Sequence, residues 1–136
     1  MVEVKITYEG QLRCKAVHVP SGQSILTDAP IDNMGKGEFF SPTDLIAAAM
    51  GTCMLTVMGI VANKHKIDMT GATANVIKEM AAAPARRIGT LKVTITVPTA
   101  LTDEQKKILE NAAMACPVHK SISHELHMPV EFKWGK

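Results

Sequence analysis

Ser41-Pro42-Thr43-Asp44-Leu45-Ile46-Ala47-Ala48-Ala49-Met50-Gly51-Thr52-Cys53-Met54-Leu55-Thr56-Val57-Met58-Gly59-Ile60-Val61-Ala62-Asn63 is the stretch from which the architecture of this chain can be read. Its first four residues put a hydroxyl at a helix N-cap, proline at the first helical position and a carboxylate at the third. There the carboxylate can accept from orphan N–H groups and meet the positive end of the helix dipole. No charged residue appears from Leu45 to Asn63, and His65 between Lys64 and Lys66 marks the exit. The run reaches the roughly 20 residues that a membrane span requires. Yet it is full of Ala, Gly and Thr, stands alone and lacks an aromatic belt, so it reads as a buried helix and not as a span. A helix apolar all round must be covered on every side, and one sheet of a small chain covers only part of it. A second copy of the same helix is the natural cover, which predicts a homodimer with paired central helices. Ala47, Ala48, Gly51 and Gly59 would let the backbones approach closely.

Outward from this helix the pattern changes to period two. Val2, Val4, Ile6 and Tyr8 alternate with Glu3, Lys5 and Thr7, predicting a half-buried strand turned by Glu9-Gly10. Leu12 to Val19 and Ser24 to Thr27 complete an N-terminal β-meander, and Ala29 to Phe40, rich in Pro, Asp, Asn and Gly, is a loop. Gly35-Lys36-Gly37 within it matches no phosphate-binding pattern. Beyond the helix, Thr73 to Met80 and Ile88 to Val97 predict a β-hairpin, with Val93, Ile95 and Val97 on one face. Thr102-Asp103-Glu104-Gln105 opens an amphipathic helix that buries Ile108, Leu109, Ala112 and Ala113. Pro117 should break it at Cys116 and start a short helix from Pro117 to Leu126, and Pro129 to Trp134 reads as a last strand. The expected class is α+β in a single domain, 1–136.

Composition narrows the function. Aromatic residues make up 4% of the 136-residue chain, so the core must be aliphatic, with nine methionines to fill irregular gaps or to continue across a partner chain. The net charge of +2 and short basic pairs such as Arg86-Arg87 do not make a nucleic-acid surface. The charged, alternating start carries no signal-peptide pattern, which places the protein in the reducing cytoplasm. There an odd count of three cysteines argues against a static disulfide framework and leaves a transient disulfide or plain buried thiols.

Cys53 lies in the uncharged helix and Cys116 at the junction Ala115-Cys116-Pro117-Val118-His119. Around Cys53 the helix offers only Ala49, Met50, Thr56 and Val57, an apolar setting that leaves the thiol inert unless a cation is brought from elsewhere. Arg13, on the N-terminal strands, is one candidate. Cys116, at the start of a helix with His119 one turn on, would gain from the dipole and is by local electrostatics the better thiolate. Cys14, between Arg13 and Lys15, is incidental. A zinc site from Cys116, His119, Cys53 and a further histidine lacks the paired spacing of structural sites, so no metal is expected.

Phe40-Ser41-Pro42-Thr43-Asp44 through Gly51-Thr52-Cys53, followed by Ala115-Cys116-Pro117-Val118-His119, resembles the OsmC/Ohr family of thiol-dependent peroxidases, in its OsmC-like branch. The resemblance implies an intertwined homodimer with back-to-back central helices and two interfacial active sites that reduce organic hydroperoxides, for defence against oxidative stress. It makes Cys53 the peroxidatic cysteine and Cys116 the resolving one, reversing the electrostatic ranking, with Arg13 stabilising the thiolate. Met50, Met54, Val57, His119 and Thr43 would line the substrate pocket. No cofactor is implied, and an external dithiol, a lipoyl protein or small thiol, would regenerate the enzyme. Family members with well-defined sites carry Asn-Pro-Glu before the helix, the Glu holding the arginine, whereas this chain has Thr43 at that position. Asp44 next door is better explained as the cap, and Glu38 stands in the preceding loop. The alternative to an enzyme is a dimer of the same fold that binds a small hydrophobic or electrophilic ligand without turnover.

Overall fold

The computed structural model describes residues 1–135, which divide into one unit from Met1 to Ile46 and a second from Ala47 onward. In the first unit, β1 (Val4–Gly10), β2 (Arg13–His18) and β3 (Ser24–Asp28) form the expected antiparallel meander. Gly10 at φ 90, with Gln11 and Leu12 also at positive φ, makes the tight reversal between the first two strands. The register pairs Ile6 with Ala16, Tyr8 with Cys14 and Ala16 with Ile25, so these apolar side chains share one face. That face is open: Val4 is 47%, Ile6 63%, Tyr8 63% and Ile25 50% exposed. β1 is therefore exposed, not half-buried as its alternation suggests. The loop that follows contains a 3-10 turn at Ile31–Asn33.

The long helix α1 runs from Pro42 to Lys64. Its start is the capping box expected from the sequence: Ser41 N–H donates to Asp44 Oδ2 at 2.9 Å, and Asp44 N–H donates to Ser41 Oγ at 3.1 Å.

In the second unit, α1 presents Ala47, Met50, Met54, Met58 and Ala62 to the core. Their cover is a sheet of β4 (Thr73–Ala81), β5 (Arg87–Val97) and β6 (Val130–Trp134), in the order β4-β5-β6. β4 and β5 are the expected antiparallel hairpin, whereas β6 lies parallel to β5. A parallel pair needs a long crossover, which α2 (Asp103–Met114) and α3 (Pro117–Ser121) supply. Leu91, Val93, Ile95 and Val97 of β5 are fully buried, as are Met50, Met54, Met58 and Leu109. Full burial of such side chains contributes about 1.5–3 kcal/mol each, so this aliphatic layer dominates the stability of the unit. Gly51 belongs to it as well, since a Cβ there would lie 3.1 Å from Val76 Cγ2. Gly51 and Ala47 thus belong to the packed side of the helix, while a Cβ at Gly59 would meet no atom of the described residues within 4 Å beyond its own helix.

α1 is covered on one face only. Ile46 is 38% and Ile60 52% exposed, and Thr52 and Thr56 are turned to solvent with their hydroxyls bonded back to carbonyls of the preceding turn. α2 opens at Thr102 with a complete capping box to Gln105 and buries Leu109, Ala112 and Ala113. α3 stops at Ser121, short of the expected Leu126. Ile122 is already extended at φ −94, ψ 166, and Ser123 takes a local hydrogen bond from Glu125 N–H, a use of serine that competes with helix.

Candidate active site

Two constellations are candidates for the chemistry. The first is a thiol pair in the second unit. Cys53 sits at the start of the fourth turn of α1 and packs against the core cluster that contains Cys116. Cys116 is the N-cap of α3, fully buried in the cluster against which Cys53 packs. Pro117 ends α2 by blocking helical geometry at Cys116, which is how the sequence folds this thiol inward. Burial pushes the Cys116 thiol up, the Cys53 hydrogen bond adds to that, and the Val118 and His119 N–H groups, which favour the thiolate, only partly offset it. The expectation that Cys116 is the better thiolate is thus corrected: desolvation exceeds the help of a helix only five residues long. Cys116 is favoured as the neutral thiol, and Cys53, partly exposed, is the more accessible of the two sulfurs.

The second constellation lies in the first unit and centres on Arg13. Its Nε donates to Asp28 Oδ1 at 2.7 Å and its Nη2 to Asp28 Oδ2 at 2.8 Å, a bidentate pair. Nη2 also donates to Glu38 Oε2 at 3.3 Å, and the guanidinium carbon stands 4.7 Å over the Phe39 ring. Asp28 is 1% exposed and accepts from Glu38 N–H at 3.1 Å. The guanidinium hydrogen bonds hold its carboxyl below the usual carboxylate range against the upward push of burial, and the Glu38 N–H assists. The same bonds hold Arg13 charged beyond the ordinary arginine range.

Thr43, at the position where the resemblance implies a glutamate, has its hydroxyl 3.2 Å from Ser41 Oγ and takes no part in the contacts of Arg13 given above. Asp44 is engaged as the helix cap. Met50 and Met54 are fully buried core residues and Val57 packs beside them, half-buried. His119 is half-buried, with an Nδ1 that is shielded from solvent and has no hydrogen-bond partner among the described residues. Near the start of α1, a groove of about 460 Å³ is lined by Pro30, Ile31, Phe39, Ser41 and Asp44. The residue that sequence reasoning missed is Asp28. Asp28 ends β3 and falls directly opposite Arg13 in the meander register, a pairing that emerges only once the strands are paired.

The chain is thus of the α+β class, with one cysteine on a long apolar helix and a second, buried cysteine at the head of a short helix. The chain belongs to the OsmC-like protein family, whose model matches residues 35–131. Among solved structures it is similar to an osmotic stress induced and detoxification response protein of Psychrobacter arcticus. That likeness has 48% identity and a TM-score of 0.92, and covers 97% of this chain and 96% of that one. An organic hydroperoxide resistance protein of Legionella pneumophila shares the fold at 16% identity and a TM-score of 0.78, over 98% of this chain and 96% of that one. Another from Elizabethkingia anophelis does so at 14% identity and a TM-score of 0.79, over 98% and 95%. No curated protein matches the chain.

Proposed function

We propose that this protein is a thiol-dependent peroxidase that reduces organic hydroperoxides to alcohols and works as a homodimer. The observation that carries this reading is the pairing of a part-exposed Cys53 with a buried Cys116 in one core cluster, where burial pushes the Cys116 thiol up. In the first step the Cys53 thiolate attacks the O–O bond of ROOH. With one proton taken up, ROH leaves and Cys53 becomes a sulfenic acid. In the second step Cys116 sulfur attacks that sulfenic sulfur, water leaves, and a Cys53–Cys116 disulfide forms. An external dithiol, a lipoyl protein or small thiol, then reduces it by exchange and leaves as its own disulfide. Arg13 is assigned the stabilisation of the Cys53 thiolate, because the apolar helix supplies no cation of its own. The requirement for reduced thiols between turnovers agrees with a cytoplasmic location.

The homodimer is supported by the open apolar rows: Val4, Ile6, Tyr8 and Ile25 on the meander, and Ile46 and Ile60 on α1. The test is the intact mass of the reduced protein after brief exposure to one equivalent of cumene hydroperoxide, with peptide mapping. A loss of two hydrogens mapped to Cys53 and Cys116 is expected, and Cys53→Ser should abolish turnover. Unchanged mass, with thiols lost no faster than free cysteine, would replace the enzyme by a dimer that binds a small hydrophobic or electrophilic ligand without chemistry.

A further inference from the structure

We infer that His119 is the base that takes the proton from Cys116 when the disulfide closes. This rests on the peroxidase reading above and assigns a proton that the reading leaves without a carrier. Burial favours the neutral thiol at Cys116, yet a thiol attacks as its thiolate, so the second step has to place this proton somewhere. Bulk water is a poor recipient, because Cys116 is 0% exposed. α3 follows directly on Cys116, and burial divides it into two sides. Pro117, Lys120 and Ser121 are exposed, whereas Val118 and His119 are half-buried, as is Ile122 just past the end. Val118 and Ile122 pack on the core cluster that holds Cys116, so His119 lies on the side turned to the protein, one turn on from that sulfur. The N–H groups of Val118 and His119 face the Cys116 sulfur closely enough to favour its thiolate, which holds the His119 backbone against it. The His119 Nδ1 is shut off from solvent and has no hydrogen-bond partner among the described residues. A ring nitrogen buried without a partner destabilises a fold, and a proton acceptor held ready for one step of a reaction accounts for it. Nδ1 is also the ring nitrogen nearer its own backbone, whose N–H faces the same sulfur.

In the step so assigned, the Cys116 S–H proton passes to Nδ1, the freed electron pair on sulfur forms the bond to Cys53 Sγ, and the Cys53 S–O bond breaks. The departing hydroxide takes a proton back from the imidazolium and leaves as water, so one sulfenic acid and one thiol give one disulfide and one water. The experiment separates this step from the one before it. Reduced wild type, His119→Gln, His119→Asn and Cys116→Ser each receive one equivalent of cumene hydroperoxide. Dimedone added at intervals traps the Cys53 sulfenic acid, and intact mass reports the disulfide. In His119→Gln and His119→Asn, closure of the disulfide should slow about a hundredfold, the usual worth of a positioned base, and the dimedone adduct should build up as in Cys116→Ser. Consumption of the hydroperoxide itself should change far less. The pH profile tells a base from a prop. Without the base, closure depends on free ionisation of Cys116, so its rate should climb about tenfold per pH unit and the variants should approach the wild type at alkaline pH. Variants slowed equally at every pH, or closing within about threefold of wild type at pH 7, overturn the inference and leave the peroxidase reading intact. A wild-type protein that forms no disulfide overturns that reading and the inference with it. Should both variants fail to fold, the ¹⁵N-histidine spectrum of the reduced wild type at about pH 8 decides. An unprotonated Nδ1 on His119 supports the inference, and a proton on Nδ1 overturns it.

Discussion

Cys116 shows how a local rule and a tertiary one compete at a single sulfur. The residue stands where the first-turn N–H groups of α3 converge, and these favour the thiolate. The side chain is also fully buried, and burial favours the neutral thiol. Burial is the larger effect, so the folded protein holds this proton more tightly than the unfolded chain does. The sign for stability follows: a group raised on folding contributes fully below its unfolded value and loses that contribution as the pH climbs through the folded one. Urea stability should therefore be level up to about pH 8 and fall above about 8.5, where a free thiol begins to ionise. Cys116→Ala should flatten that alkaline decline; an unchanged decline would show that Cys116 is not its source. Cys116 was legible as a site residue in Cys-Pro-Val-His. Its protonation was not, because burial is a property of the neighbours.

At the scale of elements, α1 carries two demands on one sequence. Its buried side, Ala47, Met50, Met54, Met58 and Ala62, lies against β5, and Gly51 lets the helix backbone approach Val76 on β4. Its other side keeps Ile46 and Ile60 exposed. Met54→Ala removes a fully buried side chain from a layer that cannot collapse fully, and should cost about 2–5 kcal/mol in urea unfolding. A loss below about 1 kcal/mol would mean that the layer is looser than its burial indicates. The limits of α1 were legible because the capping box and the Lys64-His65-Lys66 exit are local signals. Which face it buries was not legible, since a helix apolar all round has no preferred side until the sheet arrives. The end of α3 was likewise misjudged, because a weak helix is stopped by local serine bonding and extended geometry at Ile122 that periodicity does not encode.

For the whole molecule, the open apolar face of the meander and the open side of α1 are the observations that support the proposed second copy. We expect the protein to sediment at twice the 14.7 kDa of one chain. Ile60→Glu, which puts a charge on the exposed side of α1, should shift it toward the monomer and lower peroxidase activity with it. A wild-type monomer at micromolar concentration, or an Ile60→Glu dimer of unchanged strength and activity, would count against paired central helices.

By itself the sequence determined the elements and the pair of sulfurs. Caps, turns, period-two runs and the Pro117 break are local signals, written in neighbouring residues, and they set the order of strands and helices, while the family resemblance of the flanking motifs singles out Cys53 and Cys116. Only the tertiary structure decided what those residues meet. It placed β6 parallel to β5 and buried Met50 and Met54 in the core. It closed Asp28 on Arg13 across the strand register, and it left Cys116 protonated beside Cys53. Pairing, burial and desolvation depend on groups far apart in the chain, and a local window contains none of them.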